Sequence, residues 1–243
     1  MLTSQEKDFF QQTGFLKFEN VISGELIDQC RQAAAFLERT AQGSPERLRF
    51  VQFIPINRSD DTKALRKISQ AIHEHESLRR LAESDTILDR VEDLVGPNIG
   101  VNNTKLMVKC PFVGTEVQWH QDSYRFRNSW MVVTCLVYLD DTTVESGAIR
   151  LFPGSHKDGA VEHDDGCVVE EVLRGQKTSP LYLPGDAGTV ILMNADVIHG
   201  SGPNTTEQYR RVLVLHYYDP AYVLATEGTQ HNEFFLRLRT PSP

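Results

Sequence analysis

Paired cysteines are missing from this chain. Cys30, Cys110, Cys135 and Cys167 are scattered through 243 residues with no CxxC among them. That spacing excludes a zinc knuckle or a redox dithiol. It fits reduced core thiols, so a cytoplasmic location is expected. An excess of positive charge is missing too: 33 acidic residues face 25 lysines and arginines, a formal net charge of −8. General nucleic-acid and membrane-surface binders need a basic footprint, so neither kind of partner is expected. No apolar run reaches a bilayer span; the best candidate, Trp130 to Leu139, is broken by Thr134 and has about half the necessary length. The opening Met1-Leu2-Thr3-Ser4-Gln5-Glu6-Lys7 lacks the basic-then-apolar pattern of a secretory signal. There is no internal repeat, no low-complexity segment and no Pro/Gly/Ser-rich linker, so one domain over 1–243 is expected.

Two textures are present. Up to residue 100 the pattern is mainly helical. Thr3 to Gln11 reads as a short helix docked by Phe9 and Phe10, and Gly14 to Phe18 alternates like a strand. Ser23-Gly24-Glu25 starts a helix running to about Ala41, with Ile27, Cys30, Ala34 and Leu37 at spacings of three and four. Arg49 to Ile56 has a strand pattern, and Lys63 to Leu94 reads as two helices closed by Gly96-Pro97. Residues 101–220 switch to short β-rich runs: Val101–Cys110, Glu116–His120, Trp130–Leu139, Ala148–Phe152, Gly188–Met193 and Val212–Tyr218. Many short strands with turn signals between them indicate a sandwich or barrel-like sheet. The helices are expected to pack against it, giving an α+β fold with a C-terminal tail over 221–243.

Chemistry concentrates at Glu116-Val117-Gln118-Trp119-His120-Gln121-Asp122. Residues two apart on a strand share a face, so His120 and Asp122 can grip one metal ion. His-x-Asp recurs at His163-Asp164-Asp165, but in a polar, Gly-bearing loop that reads as solvated. His199 lies past an apolar strand and before a Gly-rich turn, and is the candidate third ligand. Arg210 follows eleven residues later and opens a strand; it can hold a carboxylate bidentately. Two histidines and one carboxylate form the facial triad of non-haem iron(II) oxygenases, which leaves positions open for a 2-oxo acid and dioxygen.

His120-x-Asp122, His199-Gly200-Ser201 and Arg210, with Gly185-Asp186 ahead of the distal histidine, resemble the phytanoyl-CoA dioxygenase family. Ser146-Gly147-Ala148-Ile149-Arg150, Pro153-Gly154-Ser155-His156 and the opening Leu2-Thr3…Phe9…Gly14-Phe15-Leu16 extend the resemblance over nearly the whole chain. It implies a double-stranded β-helix (jelly-roll, cupin-like) core and an Fe(II)- and 2-oxoglutarate-dependent oxygenase using O2. His120, Asp122 and His199 would be the iron ligands. Arg210 and Ser201 would bind the distal carboxylate of 2-oxoglutarate, with Lys105 and Met107 from an earlier strand. Leu136 stands where members often carry a Trp beside the co-substrate. The Pro-Gly-Ser-His turn is structural in the family, so His156 is not expected to ligate. His216 reads as a packed group or one supporting the ligands.

The implied reaction converts 2-oxoglutarate to succinate while a substrate is oxidised. Halogenases of this lineage replace the carboxylate ligand by a small residue, so Asp122 implies hydroxylation or a related oxidation. The substrate is expected to be a small molecule. Arg125 and Arg127 can recognise an anionic one, with Tyr124 and Trp130 as an apolar wall; Arg47, Arg49 and Gln52 can also face it. Two other readings stand beside this one. A zinc or manganese hydrolase or isomerase on a cupin-like fold leaves Arg210 without a role. In a non-catalytic binding protein, the carboxylate beside two histidines is costly without a metal.

Overall fold

The computed structural model describes residues 1–56, 63–125, 132–220 and 234–237. In chain order the elements are α1 (Ser4–Thr13), β1 (Phe15–Phe18), α2 (Gly24–Gly43), β2 (Phe50–Pro55), β3 (Lys63–Ser69), α3 (Glu76–Ala82), α4 (Asp85–Val95) and β4 (Ile99–Lys109). There follow β5 (Val117–His120), β6 (Val133–Tyr138), β7 (Ile149–Leu151), β8 (His163–Asp164), β9 (Cys167–Val168), α5 (Glu170–Arg174) and β10 (Leu181–Leu183). The last are β11 (Val190–Asn194), β12 (His199–Ser201), β13 (Arg210–Tyr218) and β14 (Phe234–Arg237). None of the helices among the described residues is long and apolar enough to cross a membrane.

Two antiparallel sheets make the core, an open jelly-roll. The larger runs β1-β11-β6-β13-β4-β3-β2, with β14 also paired to β4; the smaller runs β10-β7-β12-β5. Strand alternation sorts the side chains of β13 to two different cores. Val212 and Val214 point between the sheets, where they meet Leu136, Tyr138, Ile149, Leu151 and Met193. Leu213, Leu215 and Tyr217 point the other way, onto Cys30, Leu37, Leu78, Leu88 and Val91 of the helices. Every residue of β13 is therefore buried, as expected for a strand covered on both faces. The helices dock by their apolar stripes, and their ends are capped locally. Thr3 and Glu6 form a reciprocal capping box on α1, and the Ser23 side chain caps α2.

The N-terminal section departs from its helical reading. Lys63 to Ser69 is a strand, and only the remainder of that stretch forms the two helices α3 and α4. Leu65, Ile68 and Ile72 are spaced like a helix stripe. In β3, however, the backbone pairs with β2 on one side and β4 on the other, and this pairing overrides the local periodicity. Residues 1–100 thus supply three strands of the larger sheet as well as helices, and 234–237 in the expected tail add a strand to β4.

Candidate active site

The smaller sheet carries two histidines side by side. His120 ends β5 and His199 starts β12, and the two are directly paired across the strands; their ring centroids are 4.2 Å apart. The neighbouring strands come so close that a Cβ on Gly200 would lie 2.7 Å from the Val117 carbonyl oxygen. Only glycine fits at that position. The strand stops at His120, and Asp122 sits instead on the first residue of a 3₁₀ turn, Asp122–Arg125. The turn still returns its carboxylate to the histidines: Oδ1 is 3.8 Å from His120 Nε2 and Oδ2 is 3.6 Å from His199 Nε2. One ligand atom from each of the three residues lies within 4.8 Å of the others.

The tautomers are set by the main chain. His120 Nδ1 lies 2.8 Å from the Gln118 carbonyl oxygen, and His199 Nδ1 lies 2.9 Å from that of Val197. A carbonyl only accepts, so each Nδ1 carries a proton and each Nε2 is the nitrogen turned to the shared space, where it can ligate once free of its proton. On Asp122, Thr134 Oγ1 donates to Oδ2 at 2.7 Å, and His216 Nε2 lies 3.2 Å from the same oxygen. Burial opposes ionisation of this carboxyl, but the imidazoles of His216 and His199 outweigh it and hold the group well below the usual carboxylate range. Asp122 is thus an anion facing two imidazoles whose Nδ1 atoms are held by carbonyls; with their Nε2 atoms free of protons, the three make a donor set suited to a divalent transition metal.

A cavity of about 80 Å³ opens from this cluster. Its walls include Lys105, Met107, Leu136, Ile149, Ser201, Arg210 and Val214. Arg210 is 2% exposed, and its Nε and Nη2 have no hydrogen-bond partner in the protein. Burial lowers its pKa. A buried guanidinium with two unmet donors facing a cavity is unfavourable by itself and fits a carboxylate well. The pocket residues therefore suit 2-oxoglutarate, which would place one carboxylate at Arg210 and chelate a metal with its other end.

Of the sequence candidates, His120, Asp122 and His199 come together, and Arg210, Ser201, Lys105 and Met107 line the same cavity. Leu136 lines it as well, at the position where family members often carry a Trp. Tyr124 does not line it: half exposed, it stacks on His163 with centroids 4.3 Å apart. The side chain of Arg125 and all of Arg127 and Trp130 lie outside the described residues. His163 and Asp164 form the short strand β8 and are not part of the metal cluster. His156 Nε2 lies 3.2 Å from the Gln11 carbonyl oxygen, fastening α1 to the core. Arg49 is turned to Glu74 and Gln70.

The sequence reading missed Thr134 and Tyr138. Thr134 was noted only as the residue interrupting an apolar run, and that interruption was the signal. Tyr138 Oη donates to the Leu183 carbonyl and accepts from the Ile149 amide, and its ring lies 5.8 Å from the Arg210 guanidinium. Gln121, between the two ligands, is an anchor. Its amide donates to the carbonyls of Gly159 and Asp196 and accepts from the Val161 amide.

Residues 10–212 match the family model "Phytanoyl-CoA dioxygenase (PhyH)". A probable alpha-ketoglutarate-dependent hypophosphite dioxygenase from Stutzerimonas stutzeri is 29% identical over 227 residues, covering 89% of this chain and 78% of that protein. The human peroxisomal phytanoyl-CoA dioxygenase is 26% identical over 233 residues, covering 89% of this chain and 68% of the relative. Among solved structures, EctD from S. alaskensis with 2-oxoglutarate and 5-hydroxyectoine superposes with a TM-score of 0.76 at 23% identity, covering 90% of this chain and 77% of that one.

Proposed function

The chain belongs to the phytanoyl-CoA dioxygenase family and is an iron(II)- and 2-oxoglutarate-dependent oxygenase, and we propose that it hydroxylates a small anionic molecule. The observation that carries the reading of the site is Arg210, a buried guanidinium with two unmet donors, in one cavity with the His-Asp-His cluster. His120 and His199 would hold the iron through Nε2, and Asp122 through the oxygen that Thr134 leaves free. Arg210 grips the distal carboxylate, with the Ser201 hydroxyl beside it. When bound, iron(II) with 2-oxoglutarate and O2 supplies an oxidation in which the co-substrate becomes succinate and CO2 and one oxygen atom enters the substrate. Met107, Leu136, Ile149 and Val214 keep the cavity apolar, which strengthens the attraction between Arg210 and the carboxylate. With the Asp122 carboxylate present, a halide would lack a position at the metal, so a hydroxylated and not a chlorinated product is expected.

Anionic substrate character rests on charge along one wall. Lys105 lines the cavity. Lys67 is paired with Met107 across β3 and β4, so both side chains leave the same sheet face. The sequence adds two more cations shortly after Asp122, Arg125 and Arg127, followed by Trp130; the side chains of all three lie outside the described residues. The Stutzerimonas relative is named for hypophosphite, a small anion. We place the protein in the cytoplasm, in keeping with its four free cysteines.

Anaerobic titration of the protein with Fe(II) and 2-oxoglutarate tests the site. A visible metal-to-ligand charge-transfer band is expected, and its absence at saturating ligand overturns the reading. Succinate release stimulated by small anions, against neutral molecules of similar size, tests the substrate class.

A further inference from the structure

We propose that Lys109 is a second cation serving the distal carboxylate of 2-oxoglutarate, so that co-substrate affinity depends on the charge of this amine. The proposal rests on the reading of Arg210 as the carboxylate site. Lys109 ends β4 directly opposite Arg210, the first residue of β13. Opposed residues of an antiparallel pair put their side chains on one face, with Cβ atoms about 5 Å apart. Lys109 is only 4% exposed, and its Nζ donates to the carbonyls of Thr115 at 2.5 Å and Gly202 at 2.6 Å. Neither acceptor is charged. Gly202 follows Ser201, so the amine also fastens the segment that carries the pocket hydroxyl. The stem runs beneath Gly147, where an added Cβ would lie 2.9 Å from Lys109 Cδ.

The charged groups around this amine come from four elements. Arg210 on β13, Arg66 on β3 and Arg150 on β7 are cations; Glu116, just before β5, is the anion. Glu116 is already paired with Arg150. The local balance is therefore positive before a ligand binds. Burial first, then Arg210 and Arg66, push the Lys109 pKa down to about 7. A carboxylate arriving at Arg210 reverses the balance and favours the protonated amine. By linkage, binding above neutral pH takes up a proton, and affinity falls as pH rises. A lysine that merely fastened two loops would do neither.

The test is anaerobic calorimetric titration of 2-oxoglutarate into the Fe(II)-loaded protein between about pH 6 and 9, in two buffers of different ionisation enthalpy. The expected Kd is flat up to about pH 7, where the amine begins to lose its proton, then rises by about tenfold per pH unit, with proton uptake on binding. Lys109→Arg, which stays charged, should bind tightly with a flat profile. Lys109→Met should bind weakly and flatly; if it does not fold, the wild-type and Lys109→Arg profiles decide alone. A flat wild-type profile without proton uptake overturns the proposal, as does a wild-type slope that survives in Lys109→Arg. If 2-oxoglutarate does not bind at any pH, or binds Arg210→Ala equally well, the pocket reading itself fails. Tight, Arg210-dependent, pH-independent binding sinks only the role of Lys109.

Discussion

Replacing Arg210 by methionine should move stability and co-substrate binding in opposite directions. In the ligand-free protein the guanidinium is buried, and its Nε and Nη2 lack partners. An unmet buried donor costs about 1–3 kcal/mol, more when charged. Methionine keeps an unbranched apolar stem and removes those donors. The ligand-free variant should therefore gain about 1–3 kcal/mol, a Tm rise of roughly 2–10 °C for a chain of this size. Losing a buried bidentate ion pair costs about 3–5 kcal/mol, so 2-oxoglutarate should bind roughly 10²–10⁴-fold more weakly. Differential scanning calorimetry of metal-free protein measures the first quantity, and anaerobic titration of iron-loaded protein the second. A variant less stable than wild type would show that the guanidinium is already satisfied by protein groups. Unchanged co-substrate affinity would remove Arg210 from the pocket. Either result refutes the reasoning, and the two errors are distinguishable.

Thr134→Val removes the donor to Asp122 Oδ2 and should weaken iron binding by about 10–100-fold in chelator competition, with little loss of stability. Saturating the metal-free protein with Co(II) at about 100 times its Kd should stabilise it by about 2.7 kcal/mol, and His199→Ala should abolish that gain in thermal melts. Gln121→Leu strands three backbone groups and should cost about 2–4 kcal/mol in urea unfolding. Asp140→Ala should cost about 3–5 kcal/mol, because Arg211 then keeps a buried charge without its bidentate partner. The KM for 2-oxoglutarate should stay unchanged, since Arg211 leaves the face of β13 opposite to Arg210.

The metal cluster was legible because its parts are local. His120 and Asp122 are two apart, and His199 with Arg210 repeats a spacing that the family resemblance made specific. The β core was legible because strands buried on both faces read as unbroken apolar runs. What could not be read depends on pairing register. Thr134 reaches Asp122, and Lys109 faces Arg210, only because β6, β13 and β4 are aligned as they are. Lys63 to Ser69 failed for the same reason. Its spacing of apolar residues fits a helix, and the sheet neighbours that make it a strand lie elsewhere in the chain. Tyr124 lies away from the cavity because the 3₁₀ turn after Asp122 carries its ring outward onto His163, a turn that strand alternation did not foretell.

The two carbonyls that fix the histidine tautomers belong to Gln118 and Val197, and both are main-chain atoms. No substitution deletes a carbonyl. Mutation can therefore reshape the cavity wall at Met107, Leu136 or Ile149 while the imidazoles keep their Nε2 atoms aimed inward. In a lineage diversifying its substrates, the oxidising centre is inherited with the strand path, and selection is free to act on the walls around it.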